Sequence, residues 1–208
     1  MKRTEAWKQY WEQRKIDWNS SYLQTWNHPH RNLISKTLEN FRWKSLFEIG
    51  CGAGANLVNI IKHFPGKQLG GVDINKDAIK VASESLQGAI LRIGSAEDIL
   101  MSDDSTDITL SDMCLMYVGP LKIRAYLQEI KRITRDYAVF CEFHSASFLQ
   151  RLKLRLTSGY NAYDYRKLLE QCGFYDIVML KLSEADWPGG QPQKDFAWII
   201  TAKVPQRK

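Results

Sequence analysis

Glu48-Ile49-Gly50-Cys51-Gly52-Ala53-Gly54 sets one carboxylate and three glycines into seven residues, directly after an apolar run. Glycines so spaced let the chain take positive φ and bring its backbone close to a ligand. The first N–H groups of a following helix then face the same crevice. Asp73 comes 23 residues after Gly50. A carboxylate about 20 residues beyond such glycines suits a ribose with two free hydroxyls, each donating a hydrogen bond to it. The pair reads as a nucleoside site. Gly50, Gly52 and Ala55 also satisfy the GxGxxG/A spacing of dinucleotide binding, so an NAD(P)-linked oxidoreductase stays open on spacing. Glu48 weighs against it. A carboxylate at a strand tip does not help a pyrophosphate, but it can hold a cationic ligand or brace the loop.

Four histidines could move a proton. His144 follows a strand in Cys141-Glu142-Phe143-His144-Ser145, at the sheet edge where ligands bind, and is the first candidate for proton transfer or substrate contact. The plainer reading is a loop histidine bonded to backbone. His28 and His30 flank Pro29 and reach a substrate only if the N-terminal segment lies over the site. His63 stands near a helix end, a place that favours a cation. Cys51, Cys114, Cys141 and Cys172 are widely spaced with no CxxC pair, so neither a zinc site nor a disulfide framework is expected, and a reducing cytoplasm fits best.

The elements that must position these groups emerge from periodicity. Ser45–Ile49 is a buried strand, and Leu57, Ile60, Ile61 and Phe64 mark one helix stripe that stops at Pro65-Gly66. A second strand covers 69–73, followed by a helix capped by Asn75 and packing through Ile79, Ala82 and Leu86. Strands at 89–93, 107–113 and 137–142 come next, with a helix through Ile123, Tyr126, Leu127, Ile130 and Ile133. Tyr165, Leu168, Leu169 and Cys172 make another stripe, closed by Gly173. The last two strands, 175–182 and 196–204, are joined by a Pro/Gly-rich loop around Trp187, so they should pair antiparallel. Strands alternating with helices predict an α/β fold with a mostly parallel sheet.

The chain is 208 residues long, 44% hydrophobic and 25% charged, which is a globular composition. No apolar stretch approaches the roughly 18–20 residues of a membrane span, no secretory signal core is visible, and no membrane partner is expected. The net charge of +6 admits an anionic partner, but nucleic acid is not favoured, because no Asn-Pro-Pro-Tyr-type motif follows the fourth strand. Arg151, Lys153 and Arg155 fit a helix whose Phe148, Leu149, Leu152 and Leu156 lie mostly on another face. A solvated basic face is the expectation there, and a contact for an anionic substrate the alternative. Five of the seven tryptophans precede residue 44. Trp7, Tyr10 and Trp11 share a helical face that Trp18, Tyr22 and Trp26 continue, either packed on the sheet or acting as a lid.

Taken together these motifs resemble the class I S-adenosylmethionine-dependent methyltransferases over about residues 44–204. The resemblance implies a doubly wound, seven-stranded, mostly parallel sheet with an antiparallel last strand, and domains at 1–43 (a helical cap) and 44–208. It implies S-adenosylmethionine as cofactor, no metal, and Glu48, Gly50, Cys51, Gly52 and Gly54 around its methionine part. Asp73 matches the ribose acid and Ile74 the apolar residue beside adenine. Gly94-Ser95-Ala96-Glu97-Asp98 matches the loop after the third strand, where Ser95 replaces a common Asp, leaving Ala96 and Glu97 for the adenine. Asp112 would stand at the junction with the substrate pocket, and Tyr117 where small-molecule members often carry His. Tyr10 and Trp11 would cover the cofactor, with Tyr117, His28, His30 and Tyr160 toward the acceptor. The expected reaction is methyl transfer to oxygen or nitrogen of a small molecule. The alternatives are the oxidoreductase above and an RNA-associated protein of the same fold.

Overall fold

The computed structural model describes residues 2–207. Its seven strands are β1 (Ser45–Ile49), β2 (Gln68–Asp73), β3 (Ile90–Ile93), β4 (Thr106–Asp112), β5 (Thr134–Phe143), β6 (Tyr175–Lys181) and β7 (Ala197–Lys203). They form one sheet in the order β3-β2-β1-β4-β5-β7-β6. The pairs β1–β2, β1–β4, β2–β3 and β4–β5 are parallel, whereas β7 runs antiparallel to both β5 and β6. No long helix separates β6 from β7, so the chain returns beside β6 as a hairpin in place of a crossover.

Side chains alternate between two core layers, as the period of two along a strand requires. Phe47, Ile49, Phe140 and Ile200 meet α6 (Ile123–Ile133) and α8 (Tyr165–Gln171) on one face. Leu46, Ile108, Val139 and Ile199 meet α3 (Pro29–Leu38) and α4 (Ala55–His63) on the other. The apolar stripe expected for α6 is wholly buried. The segment before residue 44 divides. Ile34 and Leu38 place α3 in the core, while α1 (Lys2–Gln13), α2 (Trp18–Ser21) and a single turn at Leu23–Thr25 precede it.

Three ties hold α1 in place. Gly119 N donates to Thr4 Oγ1 at 2.9 Å, and Trp7 Nε1 donates to Gly159 O at 3.4 Å. Asn75 does two tasks. Its Oδ1 caps α5 (Lys76–Ser85), while Nδ2 donates to Trp11 O at 2.7 Å and Arg14 O at 3.0 Å. Those two carbonyls lie at the end of α1, where helix carbonyls lack intrahelical partners.

α7 (Phe148–Ser158) corrects one expectation. The sequence pattern sends the apolar residues inward and the basic ones to solvent. Instead Leu154 is the buried side chain, and Phe148, Leu149, Leu152 and Leu156 face outward. The orientation is set by that one apolar position on the opposite side of the helix, which meets the core.

Candidate functional site

Strand order reverses between β1 and β4, and a crevice opens there beyond the carboxyl ends of the strands. It widens into a cavity of about 420 Å³. Gly50 N and Cys51 N both donate to Val72 O, at 2.8 and 3.1 Å, folding the loop after β1 back onto β2. Gly50 has φ +69°, and a Cβ there would lie 2.8 Å from Cys114 Cβ, so glycine is required on two counts. Gly52 N donates to Asp73 Oδ2 at 2.9 Å and Asn75 N to Oδ1 at 2.8 Å. The Asp73 carboxylate is thus fixed before any ligand arrives, and each oxygen keeps a second lone pair.

A polar cluster occupies the floor. Asn56, in the first turn of α4, is its hub: Nδ2 donates to Glu48 Oε1 at 2.6 Å and Asp112 Oδ2 at 3.0 Å, and Oδ1 accepts from Arg31 at 2.6 Å. Arg31 also donates to Asp112 Oδ2 at 3.1 Å and to Thr25 O at 3.1 Å. Burial pushes the Glu48 carboxyl up to about 8, because its one hydrogen bond from Asn56 and the Arg31 charge do not offset the lost water. Burial pushes Asp112 the same way, but the charges of His30 and Arg31 and the hydrogen bonds from His30 and Asn56 win. Its carboxyl is held far below the carboxylate range.

Asp112 is therefore an acceptor only, and this fixes the protons on two imidazoles. His30 Nε2 lies 3.0 Å from Asp112 Oδ2 and must donate to it. His30 Nδ1 lies 2.5 Å from His28 Nδ1. His28 Nδ1 also accepts from His30 N at 3.4 Å, as the cap of α3, so it is a bare acceptor and the proton between the two rings sits on His30. Burial first, then the His30 and Arg31 charges, lower His28 to about 4, so the ring is neutral at pH 7. Trp187, from the loop between β6 and β7, stacks on His30 at 4.0 Å and backs the pair.

Four buried polar atoms of cavity-lining residues have no partner: Glu48 Oε2, Asp112 Oδ1, Trp11 Nε1 and Trp18 Nε1. Each unpartnered buried group costs ~1–3 kcal/mol, so four of them on residues lining one cavity point to a site for a polar ligand. Glu142 plays a different part. Its Oε1 accepts from Ser111 Oγ, Cys114 N and Leu115 N at 2.8–2.9 Å, which shapes the loop after β4 from behind.

The glycine loop brings Glu48, Gly50, Cys51 and Gly52 to the cavity wall, and the end of β2 brings Asp73 and Ile74. Ser95 and Ala96 border it beyond β3, and Asp112 beyond β4. Trp11, Tyr117, His28 and His30 border it from above. Five expected residues are not on the wall. Gly54 caps α4, its Cα facing Leu86 and Ala82. Glu97 is drawn off by Lys122 at 2.5 Å and Lys8 at 3.7 Å. Tyr10 is 44% exposed, edge-on to Trp7 and Trp11, because only the i, i+4 pair of that face can point inward. Tyr160 stands behind the wall against Trp7, Tyr117 and Phe143. His144 accepts at Nδ1 from Tyr165 N at 3.1 Å and meets Trp198, so it is the backbone-bonded loop histidine and not the proton acceptor.

Asn56 and Arg31 belong to the site without having been singled out by sequence pattern, whereas Trp18, on the aromatic face that the sequence marks, lies on the cavity wall. The polar Asn56 sits between the buried Ala55 and Leu57 of an otherwise apolar first turn, a signal open to reading; Arg31 gives none.

A methyltransferase-domain family model matches residues 46–137. That stretch of the chain is similar to a methyltransferase domain. No curated protein matches it. Among solved structures it is similar to geranyl diphosphate C-methyltransferase of Streptomyces coelicolor, in complex with Mg2+, geranyl diphosphate and S-adenosyl-L-homocysteine. The TM-score is 0.71 at 13% identity over 99% of each chain. It is also similar to a SAM-dependent methyltransferase of Thermotoga maritima, with TM-score 0.65, 16% identity, and 97% and 99% coverage. Phosphoethanolamine N-methyltransferase 2 of Haemonchus contortus gives TM-score 0.71 and 13% identity over 96% of this chain and 60% of that one. At these identities the likeness is one of fold, and carbon and nitrogen acceptors both occur within it.

The polar cluster generates two expected outcomes. Glu48 keeps its proton in the fold up to about 8 against an ordinary 4.5, so its contribution to stability is full below 4.5 and is lost as pH rises through 8. Unfolding free energies should thus fall less between pH 5 and pH 8 in Glu48→Gln than in the parent, by on the order of 3–5 kcal/mol at most. Parallel pH curves for the two proteins would contradict the assignment. Long-range 1H–15N spectra at neutral pH should show His28 as the Nε2–H form, its Nδ1 accepting; an Nδ1–H on that ring would break the chain of hydrogen bonds.

Proposed function

We propose that this protein transfers a methyl group from S-adenosylmethionine to an oxygen or nitrogen of a small molecule. The observation that carries the reading is the set of four unpartnered polar atoms on residues that line one cavity. Two carboxyl groups and two indole N–H groups are what an amino-acid end, with its ammonium and carboxylate, requires. The residues suit the rest of the cofactor too: Asp73, fixed by Gly52 and Asn75, for the ribose, with Ile74, Ser95 and Ala96 for the adenine. They do not suit a dinucleotide. Glu48 and Asp112 would face its pyrophosphate, and Arg31 is already engaged by Asp112, Asn56 and Thr25.

When bound, S-adenosylmethionine supplies a methyl group already activated on a cationic sulfur. The protein's own task is then to orient the acceptor and exclude water. Alignment of this kind contributes ~7–11 kcal/mol. Trp7, Trp11, Trp18, Tyr22 and Trp187 roof the cavity and keep water out. His28 and His30, joined through their Nδ1 atoms, and the Asp112 carboxylate 3.0 Å from His30 border the cavity and orient a polar acceptor group. An acceptor with an O–H or N–H is the kind such hydrogen-bonding groups hold.

Titration calorimetry should find S-adenosylhomocysteine bound and NADH not bound. In Asp73→Ala the affinity should drop by ~1–3 kcal/mol with the fold intact. Binding of NADH alone, or an unchanged affinity in the folded variant, would overturn the reading.

A further inference from the structure

The outward face of α7 is not explained by methyl transfer, and its make-up is independent of whatever reaction the cavity carries out. Phe148, Leu149, Leu152 and Leu156 are 66%, 74%, 41% and 71% exposed. At about 100° per residue they fall within an arc of roughly 100° on the helix, and the buried Leu154 lies almost opposite its middle. Arg151 and Arg155 flank the arc on one side and Lys153 on the other. The helix, Phe148-Leu149-Gln150-Arg151-Leu152-Lys153-Leu154-Arg155-Leu156-Thr157-Ser158, contains no acidic residue. Arg151 donates to Ser145 O at 2.7 Å, so that guanidinium is set beside the start of the helix. Leu121, 82% exposed, adjoins the same surface through a shallow cleft with Arg155 and Lys122. Contiguous apolar patches that face water mark contact surfaces more often than single exposed apolar residues do.

We propose that α7 is a membrane-surface helix that docks the protein on anionic lipid, with the four apolar side chains entering the interface and the flanking bases meeting lipid phosphates and carboxylates. Three features select this occupant. The arc is convex and bordered by bases on both sides, the arrangement by which a helix lies in a bilayer interface. Cationic side chains beside it are attracted to a negative leaflet and repelled by their counterparts in a second copy of this chain, which would bring the same bases together across a two-fold axis. The surface is a ridge and not a groove, so it offers no trough in which a peptide could lie. The sequence predicts no membrane partner because no stretch spans a bilayer, and among the described residues no helix is long and apolar enough to cross one. A helix lying flat needs no such length.

Docking would place the lid side of the cavity near the lipid. Gly159, which ends α7, accepts from Trp7 Nε1 at 3.4 Å, and Trp7 borders the cavity and stacks on Tyr160. The helix and the lid therefore share a joint.

The test is co-flotation of the full chain with vesicles of phosphatidylcholine alone and of phosphatidylcholine mixed with phosphatidylserine. The expected result is binding to the mixed vesicles only, weakened by added salt. Leu149→Ser combined with Leu156→Ser should reduce it roughly tenfold or more, since both side chains are exposed and their loss leaves the core intact. Lys153→Glu should reduce it as well, and the affinity of both variants for S-adenosylhomocysteine should match the parent's. Failure to float with anionic vesicles, or floating that both variants retain, overturns the proposal. So does a parent that sediments as a dimer while the double-serine variant sediments as a monomer, which would assign the face to a second copy. Capture of an acidic protein in preference to the mixed vesicles would overturn it as well.

Discussion

Carboxylates taken out of water at the tips of two adjacent parallel strands are the constraint around which this protein is arranged. Glu48 lies at the end of β1 and Asp112 ends β4, and both are almost wholly shielded from water. A buried charge is tolerated only with partners, and a buried carboxyl without them keeps its proton. The fold uses both solutions side by side. Arg31, His30 and Asn56 keep Asp112 ionised, whereas Glu48 has Asn56 alone and stays protonated to about 8. Each still has one oxygen with no hydrogen-bond partner. The fold alone thus leaves hydrogen-bonding capacity unmet at both strand tips.

Much of the surrounding architecture serves that cluster. α3 must be rooted in the core, through Ile34 and Leu38, because its first turn delivers His30 and Arg31 to Asp112. α1 must be tied down, through Thr4, Trp7 and Asn75, because it closes the roof over groups that work only without water. The loop between β6 and β7 contributes Trp187 against the imidazole pair. Elements distant in sequence converge on one crevice because the sheet order reverses beside β1.

The sheet was legible from the sequence because strands and amphipathic helices announce themselves locally. Ser45–Ile49, the α6 stripe and the helix-free return between the last two strands all carry their own signals. The glycine loop and Asp73 are legible for the same reason, since a tight turn and an acid at a strand end are local chemistry. Rotation about a helix axis is not. Trp11 and Tyr10 are neighbours, yet one lines the cavity and the other faces solvent, and α7 turns its apolar face outward. Nor are lateral partnerships legible: His30 and Asp112 are 82 residues apart and Arg31 and Asn56 are 25 apart. His144 is well placed by its position after β5, but the N–H of Tyr165 claims its ring nitrogen.

For the cavity to receive a cation, Glu48 must give up its proton. Titrating S-adenosylhomocysteine at pH 7 in buffers of different ionisation enthalpy counts the protons exchanged on binding. The parent should release close to one proton, about what a group at 8 must lose, and Glu48→Gln should release none. A heat of binding that is independent of buffer in the parent, or a release of equal size in the variant, would show that the buried carboxyl is not the cation's partner.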